Sequence, residues 1–201
     1  MTKRLFVETY GCQMNEADTE LIAGLMRHRG YQVAEDAQSA DIVLLNTCAV
    51  RDKAEQRIFG RLGWLKTLKR EKPDLVLGVA GCMAERMREN IIEKAPFVDL
   101  VVGPDAYRRL PDMIDSAFNG EAGDFQVDVR LDKREMYANV QVDRVPGVSG
   151  WISVQRGCDK FCSFCIVPFV RGRERSLSPD EVVAQAQEMA EQGFKRGLLL
   201  G

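Results

Sequence analysis

Asp41-Ile42-Val43-Leu44-Leu45-Asn46-Thr47-Cys48 carries four successive apolar residues closed by Asp on one side and Asn on the other. An unbroken apolar run of this length, without polar alternation, belongs to a strand covered on both faces, as in parallel sheets. Leu5 to Thr9 reads the same way upstream, Leu75 to Ala80 downstream, and Leu100 to Val102 supplies a fourth strand. Helical periodicity fills the gaps. Leu21, Ile22, Leu25 and Met26 share one face of a first helix, with Asn15 as its expected N-cap and Asp18 in an acidic first turn. Ile58, Leu62 and Leu65 share a face of the next, whose last turns carry Lys66, Lys69 and Arg70, cations that suit a helix C-terminus. A helix with Leu110, Met113, Ile114 and Ala117 follows the fourth strand. Strands alternating with helices predict an α/β unit with a parallel sheet over residues 1–118.

From 119 to 149 the pattern dissolves into Gly, Asp and Arg with scattered Val, which reads as a linker with at most short strands. A new unit starts near residue 150. Trp151 to Gln155 is the expected strand, Arg156 to Leu177 a long loop, and Ser178-Pro179-Asp180-Glu181 opens a helix with a Ser cap, Pro at the first helical position and Glu as capping-box partner. Val182, Val183, Ala186, Met189 and Ala190 give it an apolar face, Gly193 ends it, and Lys195 to Leu200 is the next strand. One strand-helix-strand unit cannot close a sheet. Residues 150–201 are therefore expected to be the truncated start of a larger domain, and the chain a fragment of a longer protein.

The 201 residues are 45% hydrophobic and 29% charged with a net charge of −2. Those values exclude a disordered or collagen-like chain and a uniformly basic coat for nucleic acid, so any polyanion must be met by a local patch. No apolar run reaches the roughly 18 to 20 residues of a membrane span, and Met1 to Tyr10 lacks the features of a signal peptide. A cytoplasmic location is expected. There is no G-x-x-x-x-G-K or G-x-G-x-x-G, so a nucleoside-triphosphate enzyme gets no support. His28, between Arg27 and Arg29 on an amphipathic helix, reads as a surface residue.

The six cysteines are the most informative feature. Cys158, Cys162 and Cys165 form C-x3-C-x2-C on the long loop. Three thiolates there can ligate three irons of a 4Fe-4S cubane and leave the fourth iron open for a substrate or cofactor. A zinc site would want a fourth ligand, and Cys162 with Cys165 alone would match a redox C-x-x-C; both remain open on spacing alone. Cys12, Cys48 and Cys82 each follow a strand at once, 36 and 34 residues apart, about one β-α unit each. Parallel strands bring their C-terminal ends to one sheet edge, where open α/β sheets bind ligands. Three thiols on one edge suggest a second cluster; three independent core cysteines are the plainer alternative. Gly11 and Gly81 would permit close or positive-φ turns beside them.

The C-x3-C-x2-C loop, following a strand and with Phe164 before its last Cys, resembles the signature of radical S-adenosylmethionine (SAM) enzymes. With Thr9-Tyr10-Gly11-Cys12-Gln13-Met14-Asn15-Glu16, Asn46-Thr47-Cys48-Ala49-Val50-Arg51, Gly78-Val79-Ala80-Gly81-Cys82-Met83-Ala84, Pro168 and Arg171-Gly172-Arg173, the chain resembles the methylthiotransferase family over essentially its whole length. Within it the first two motifs most resemble the branch acting on N6-dimethylallyladenosine of tRNA. The resemblance implies an N-terminal methylthiotransferase domain, a radical SAM (β/α) partial barrel of which only the start is present, and an absent C-terminal TRAM domain. It implies that Cys12, Cys48 and Cys82 hold an auxiliary 4Fe-4S cluster, that Cys158, Cys162 and Cys165 hold a second one that chelates SAM, and that Phe164 packs beside the adenine. The implied reaction puts a methylthio group on C2 of the modified adenosine 3′ of the anticodon, one SAM supplying the methyl group and another the radical. Implied partners are tRNA and an electron donor such as flavodoxin or ferredoxin, with the protein as a monomer. The same chemistry on threonylcarbamoyladenosine or on a ribosomal-protein aspartate is an alternative, as is a non-catalytic cluster carrier or zinc RNA module.

Arg156, Lys160, Arg171, Arg173 and Arg175 outnumber Asp159 and Glu174 over residues 156–175. With Phe161, Phe164 and Phe169, this loop is expected to meet RNA phosphates and a stacked base. A solvated loop with intramolecular partners is the bland alternative.

Overall fold

The computed structural model describes residues 2–49, 52–121, 123 and 125–201, with 52–54 described by backbone only. Val50 and Arg51 of the second cysteine motif lie outside the described residues. In chain order the first part comprises β1 (Arg4–Tyr10), α1 (Gln13–His28), β2 (Gln32–Val33), β3 (Ile42–Thr47), α2 (Asp52–Glu71), β4 (Val76–Gly81), α3 (Cys82–Met87), α4 (Asn90–Lys94), β5 (Leu100–Val102), a 3-10 turn (Tyr107–Arg109), α5 (Leu110–Asn119) and β6 (Gln126–Asp128). Its strands pair in parallel as one six-stranded sheet in the order β2-β1-β3-β4-β5-β6.

The pleat explains why the apolar runs are unbroken. Val43 and Leu45 of β3 face one layer, with Ile58 and Leu62 of α2, Met83 of α3 and Ile91 of α4. Ile42 and Leu44 face the opposite layer, with Ile22 and Met26 of α1 and Leu110 and Ile114 of α5. Every residue of β3 and β4 is buried. At roughly 1.5 to 3 kcal/mol for each fully buried Leu or Ile side chain, these central strands hold the three layers together.

The four predicted strands are present. The cap of α1 differs from expectation: Cys12 is its N-cap, with extended backbone (φ −99°, ψ 178°), and Asn15 lies inside the first turn, fully buried. The two-residue β2 and the short helices α3 and α4 were too brief to leave a periodic signal. Part of the segment expected as a linker is tied to the sheet. β6 extends its edge, Leu100 pairing with Gln126 and Val102 with Asp128. Tyr137 is buried and stacks on Tyr107 at 5.8 Å; its hydroxyl donates to the Pro104 carbonyl (2.8 Å) and accepts from the Tyr107 amide (3.0 Å).

The second part comprises β7 (Ser149–Ser153), β8 (Gln155–Arg156), α6 (Val167–Val170), β9 (Arg175–Ser176), α7 (Pro179–Glu191) and β10 (Arg196–Leu200). β7 and β10 pair in parallel, β8 and β9 antiparallel. The expected single strand from Trp151 to Gln155 is thus split in two, and the expected loop is interrupted by α6 and β9. The capping box of α7 is formed: the Ser178 hydroxyl accepts from the Glu181 amide and the Glu181 carboxylate accepts from the Ser178 amide at 2.8 Å. Its expected apolar face is only partly covered. Met189 packs with Ile152 and Phe194 and Val182 is half-buried, but Val183, Ala186 and Ala190 are exposed, as is Leu199 of β10. Among the described residues no helix is long and apolar enough to cross a membrane.

Candidate functional site

The sheet register aligns Tyr10 with Thr47 and Thr47 with Gly81. Cys12, Cys48 and Cys82 therefore leave the sheet at the C-terminal edge of three neighbouring strands, β1, β3 and β4. The chain winds from β1 outward to β2 and then returns to β3 on the other side, so this edge includes the topological switch point where such sheets bind ligands. Cys12 caps α1 and is exposed, Cys48 is half-buried, and Cys82 opens α3 and is buried.

A polar lattice fixes this edge. Asn46 Nδ2 donates to the Asn15 carbonyl (2.8 Å) and to Thr19 Oγ1 (3.0 Å), while its Oδ1 accepts from Asn15 Nδ2 (3.0 Å). Thr47 Oγ1 donates to the Ala80 carbonyl (2.7 Å) and Cys12 Sγ to Asn15 Oδ1 (3.4 Å). Gly81 sits at φ +90°, and a Cβ there would fall 2.6 Å from Asn46 Oδ1. A Cβ on Gly11 would lie 3.0 Å from the Cβ of Cys48, which shows how closely the ends of β1 and β3 approach. Both glycines act as the sequence suggested, one through positive φ and the other through close approach.

Cys158, Cys162 and Cys165 lie on a turn-rich loop, half-buried, exposed and half-buried respectively. The Cys165 amide donates to the Cys162 carbonyl (2.9 Å), and the Cys158 amide to the Gly172 carbonyl (3.1 Å). Phe164 is 90% exposed, so core packing does not account for it. Phe161 and Phe169, also exposed, meet edge to face at 6.2 Å.

The basic loop is not the phosphate-facing surface the sequence suggested. Arg156, Arg171 and Arg175 are buried. Asp18, fully buried on α1, accepts from Arg156 Nη2 on Oδ1 (2.9 Å) and from Arg171 Nη2 on Oδ2 (2.8 Å). Arg175 pairs with buried Asp105 at 3.0 Å, and exposed Arg173 makes two bonds to Asp159 (2.6 and 3.1 Å). The arginines of the loop thus turn to carboxylates of the protein itself, three of them buried and Arg173 at the surface. Burial works against charge on Arg156 and Arg171, but Asp18 overrides it and holds both above the ordinary arginine value. The sequence does not mark Asp18, Arg156 and Arg171 as a unit, because their separations of 138 and 153 residues leave no local signal.

Arg171 also reaches the sheet edge, its Nε donating to Cys82 Sγ at 3.1 Å. Burial pushes the Cys82 thiol up, and the Arg171 guanidinium pulls it back. Among the described residues no three Cys, His, Asp or Glu side chains close on a single ion. A cubane, whose irons carry thiolates at separate corners, accepts a wider spread than one ion does. All six cysteines are free, each set is thiol-only, and the buried edge beside Cys82 carries positive charge that suits thiolate and sulfide; the donor chemistry fits iron-sulfur groups at both places. His28 is exposed, as expected. A cavity of about 790 Å³ lies at the opposite, N-terminal edge of the sheet, where Lys69 is bonded to Asp99 and Lys72 to the Ala40 carbonyl, away from every cysteine.

Residues 4–103 match the family described as uncharacterized protein family UPF0004, and residues 152–201 match the radical SAM superfamily. Over the whole chain the sequence is 47% identical to the tRNA-2-methylthio-N(6)-dimethylallyladenosine synthase of Amoebophilus asiaticus, of which it covers 41%. It is 48% identical over 99% of the chain to the synthase of the same name from Bacteroides fragilis, covering 43% of it. Over its whole length the chain is thus similar to these synthases, with a UPF0004 match followed by a radical SAM match. It spans about two fifths of the length of the curated methylthiotransferase relatives it matches. A solved radical S-adenosylmethionine methyltransferase, TsrM from Kitasatospora setae, superposes with a TM-score of 0.62 over 98% of this chain and 47% of that one, at 14% identity, a likeness of fold. The two matched segments fall on the two cysteine sets, the UPF0004 match ending at Gly103 after β5 and the radical SAM match starting at Ile152 within β7.

Proposed function

We propose that this chain forms the first part of a tRNA-modifying methylthiotransferase that places a methylthio group on C2 of N6-dimethylallyladenosine beside the anticodon. The observation that carries this reading is the 47 to 48% identity, over essentially the whole chain, to synthases named for that product. Two separate sets of free cysteines support it. Residues 1–118, completed by β6 and Tyr137 from within the 119–149 connection, form the methylthiotransferase domain, and 150–201 the start of the radical SAM domain.

Cys12, Cys48 and Cys82 hold an auxiliary 4Fe-4S cluster, and Cys158, Cys162 and Cys165 hold the one that binds SAM. When bound, the auxiliary cluster would supply sulfur, and SAM on the other cluster would supply the 5′-deoxyadenosyl radical once given an electron. The chain's own residues position them. The Asn15-Asn46-Thr47 lattice fixes the strand ends that carry the first set, and Asp18 holds the segments flanking the second. Phe164, exposed on its loop, packs beside the SAM adenine. A flavodoxin or ferredoxin delivers the electron, and the enzyme acts as a monomer in the cytoplasm.

Anaerobic reconstitution of the full-length protein, followed by iron, sulfide and zinc counts, tests this reading. About eight irons per chain, two cubanes, with matching sulfide, are expected. One zinc and no sulfide would sink it. Mass spectrometry of tRNA from cells lacking the gene then separates substrates: loss of the methylthio group from dimethylallyladenosine supports the proposal, and loss from threonylcarbamoyladenosine alone redirects it.

A further inference from the structure

Arg171 is 7% exposed, and its three guanidinium nitrogens have three different fates. Nε donates to Cys82 Sγ at 3.1 Å, Nη2 donates to Asp18 Oδ2 at 2.8 Å, and Nη1 is buried without a partner among the described residues. The residue belongs to the chain just beyond the C-x3-C-x2-C loop, where its amide bonds to the Val167 carbonyl at the close of α6. Its head group nevertheless lies at the C-terminal edge of the N-terminal sheet, against a cysteine 89 positions earlier.

Asp18 sets the orientation. With one oxygen on Arg171 and the other on Arg156, it keeps the guanidinium plane from turning away from Cys82 without loss of a charged hydrogen bond. Two guanidiniums against one carboxylate leave one positive charge in this buried space, since Arg175 is neutralised separately by Asp105. An uncompensated cation in a low dielectric is costly, and an anionic centre at Cys82 relieves the cost. A hydrogen bond to a cysteinyl sulfur and a nearby positive charge both favour the more negative, reduced state of an iron-sulfur group.

We propose that Arg171 is a positioning residue for the N-terminal iron-sulfur centre: delivered from the radical SAM part, it orients Cys82 and raises the reduction potential of the group held there. The proposal rests on the reading of Cys12, Cys48 and Cys82 as cluster ligands. It adds that the redox poise of the sheet-held centre depends on docking of the second part against the first.

The test uses the full-length protein with Cys158, Cys162 and Cys165 all changed to Ala, so that only the N-terminal centre is reconstituted. Iron content and an EPR-monitored potentiometric titration are compared with and without Arg171→Met, which keeps length and packing but removes charge and donors. Equal iron content with a midpoint shifted to more negative potential is expected, and Arg171→Lys, which keeps the charge but not the fork, should shift less. No iron in the parent triple variant would remove the ligand reading and the proposal with it. Iron present with an unchanged midpoint in both Arg171 variants overturns the proposal alone. If Arg171→Met fails to fold by circular dichroism, the Lys variant decides: a negative shift supports the role, and a wild-type midpoint overturns it.

Discussion

Cys12, Cys48 and Cys82 share one edge only because three parallel strands end side by side, whereas Cys158, Cys162 and Cys165 are neighbours by covalent spacing on a single loop. The first set inherits its geometry from the core, since β3 and β4 behind it are buried at every position. The second is held from its flanks, by Arg156 before it and Arg171 after it, both bonded to Asp18 of α1. The carboxylates near the two sets differ accordingly. Burial pushes Glu85, one turn along α3 from Cys82, up to about 7, with Arg88 partly opposing. Asp159 in the loop is held below the usual carboxylate range by its hydrogen bond from Arg173. A sheet-held site is a property of the whole domain; a loop-held site is a property of its anchors.

The largest expected effect separates the two sets. In the full-length protein, Cys162→Ala should abolish formation of 5′-deoxyadenosine, and methylthio transfer with it. Cys48→Ala should leave 5′-deoxyadenosine formation in place and stop methylthio transfer. Both products are measured by chromatography and mass spectrometry under reducing, anaerobic conditions. Methylthiolation at wild-type rate by Cys48→Ala would end the assignment of the sheet-held set.

Next in size is the joint between the sets. Asp18→Ala leaves two buried guanidiniums without their shared partner, and removal of one member of a buried ion network costs about 3 to 5 kcal/mol. Urea unfolding should show that loss. A change below about 1 kcal/mol, the range of surface pairs, would mean that the network is solvated and the loop is not anchored through Asp18.

The smallest effect sharpens the contrast between the carboxylates. Because the folded state favours neutral Glu85, its contribution to stability is fully present below the ordinary carboxylate value of 4.5 and is lost as pH rises through about 7. Glu85→Gln, neutral at every pH, should therefore show a smaller fall in unfolding free energy, measured by urea titration between about pH 5 and about pH 8, than the wild type, by an amount on the order of 1 to 3 kcal/mol. Equal falls in the two proteins would show that Glu85 is ionised in the fold.

Legibility in the sequence followed range. The strands at Ile42 and Leu100 and the capping box at Ser178 were readable because burial on two faces and a three-residue hydrogen-bond pair each leave a local pattern. β2 and α4, of two and five residues, are too short to leave one. Local spacing allows Asn15 and Asp18 the roles of a cap and an acidic first turn, while their partners Asn46, Arg156 and Arg171 stand 31, 138 and 153 residues away. The local surplus of arginine around the C-x3-C-x2-C loop suggests an RNA-facing patch for the same reason: the partner carboxylates of Asp18 and Asp105 belong to another part of the chain.

The sequence by itself determined the parallel α/β class, the placement of three cysteines at strand ends, and the spacing of the other three, because strand burial and loop spacing act over a few residues. Only the tertiary structure decided that the arginines flanking the loop turn inward, that both meet at Asp18, and that one of them touches Cys82. Those outcomes depend on which charges share a low-dielectric space after folding, and a linear order of residues carries no distances between them.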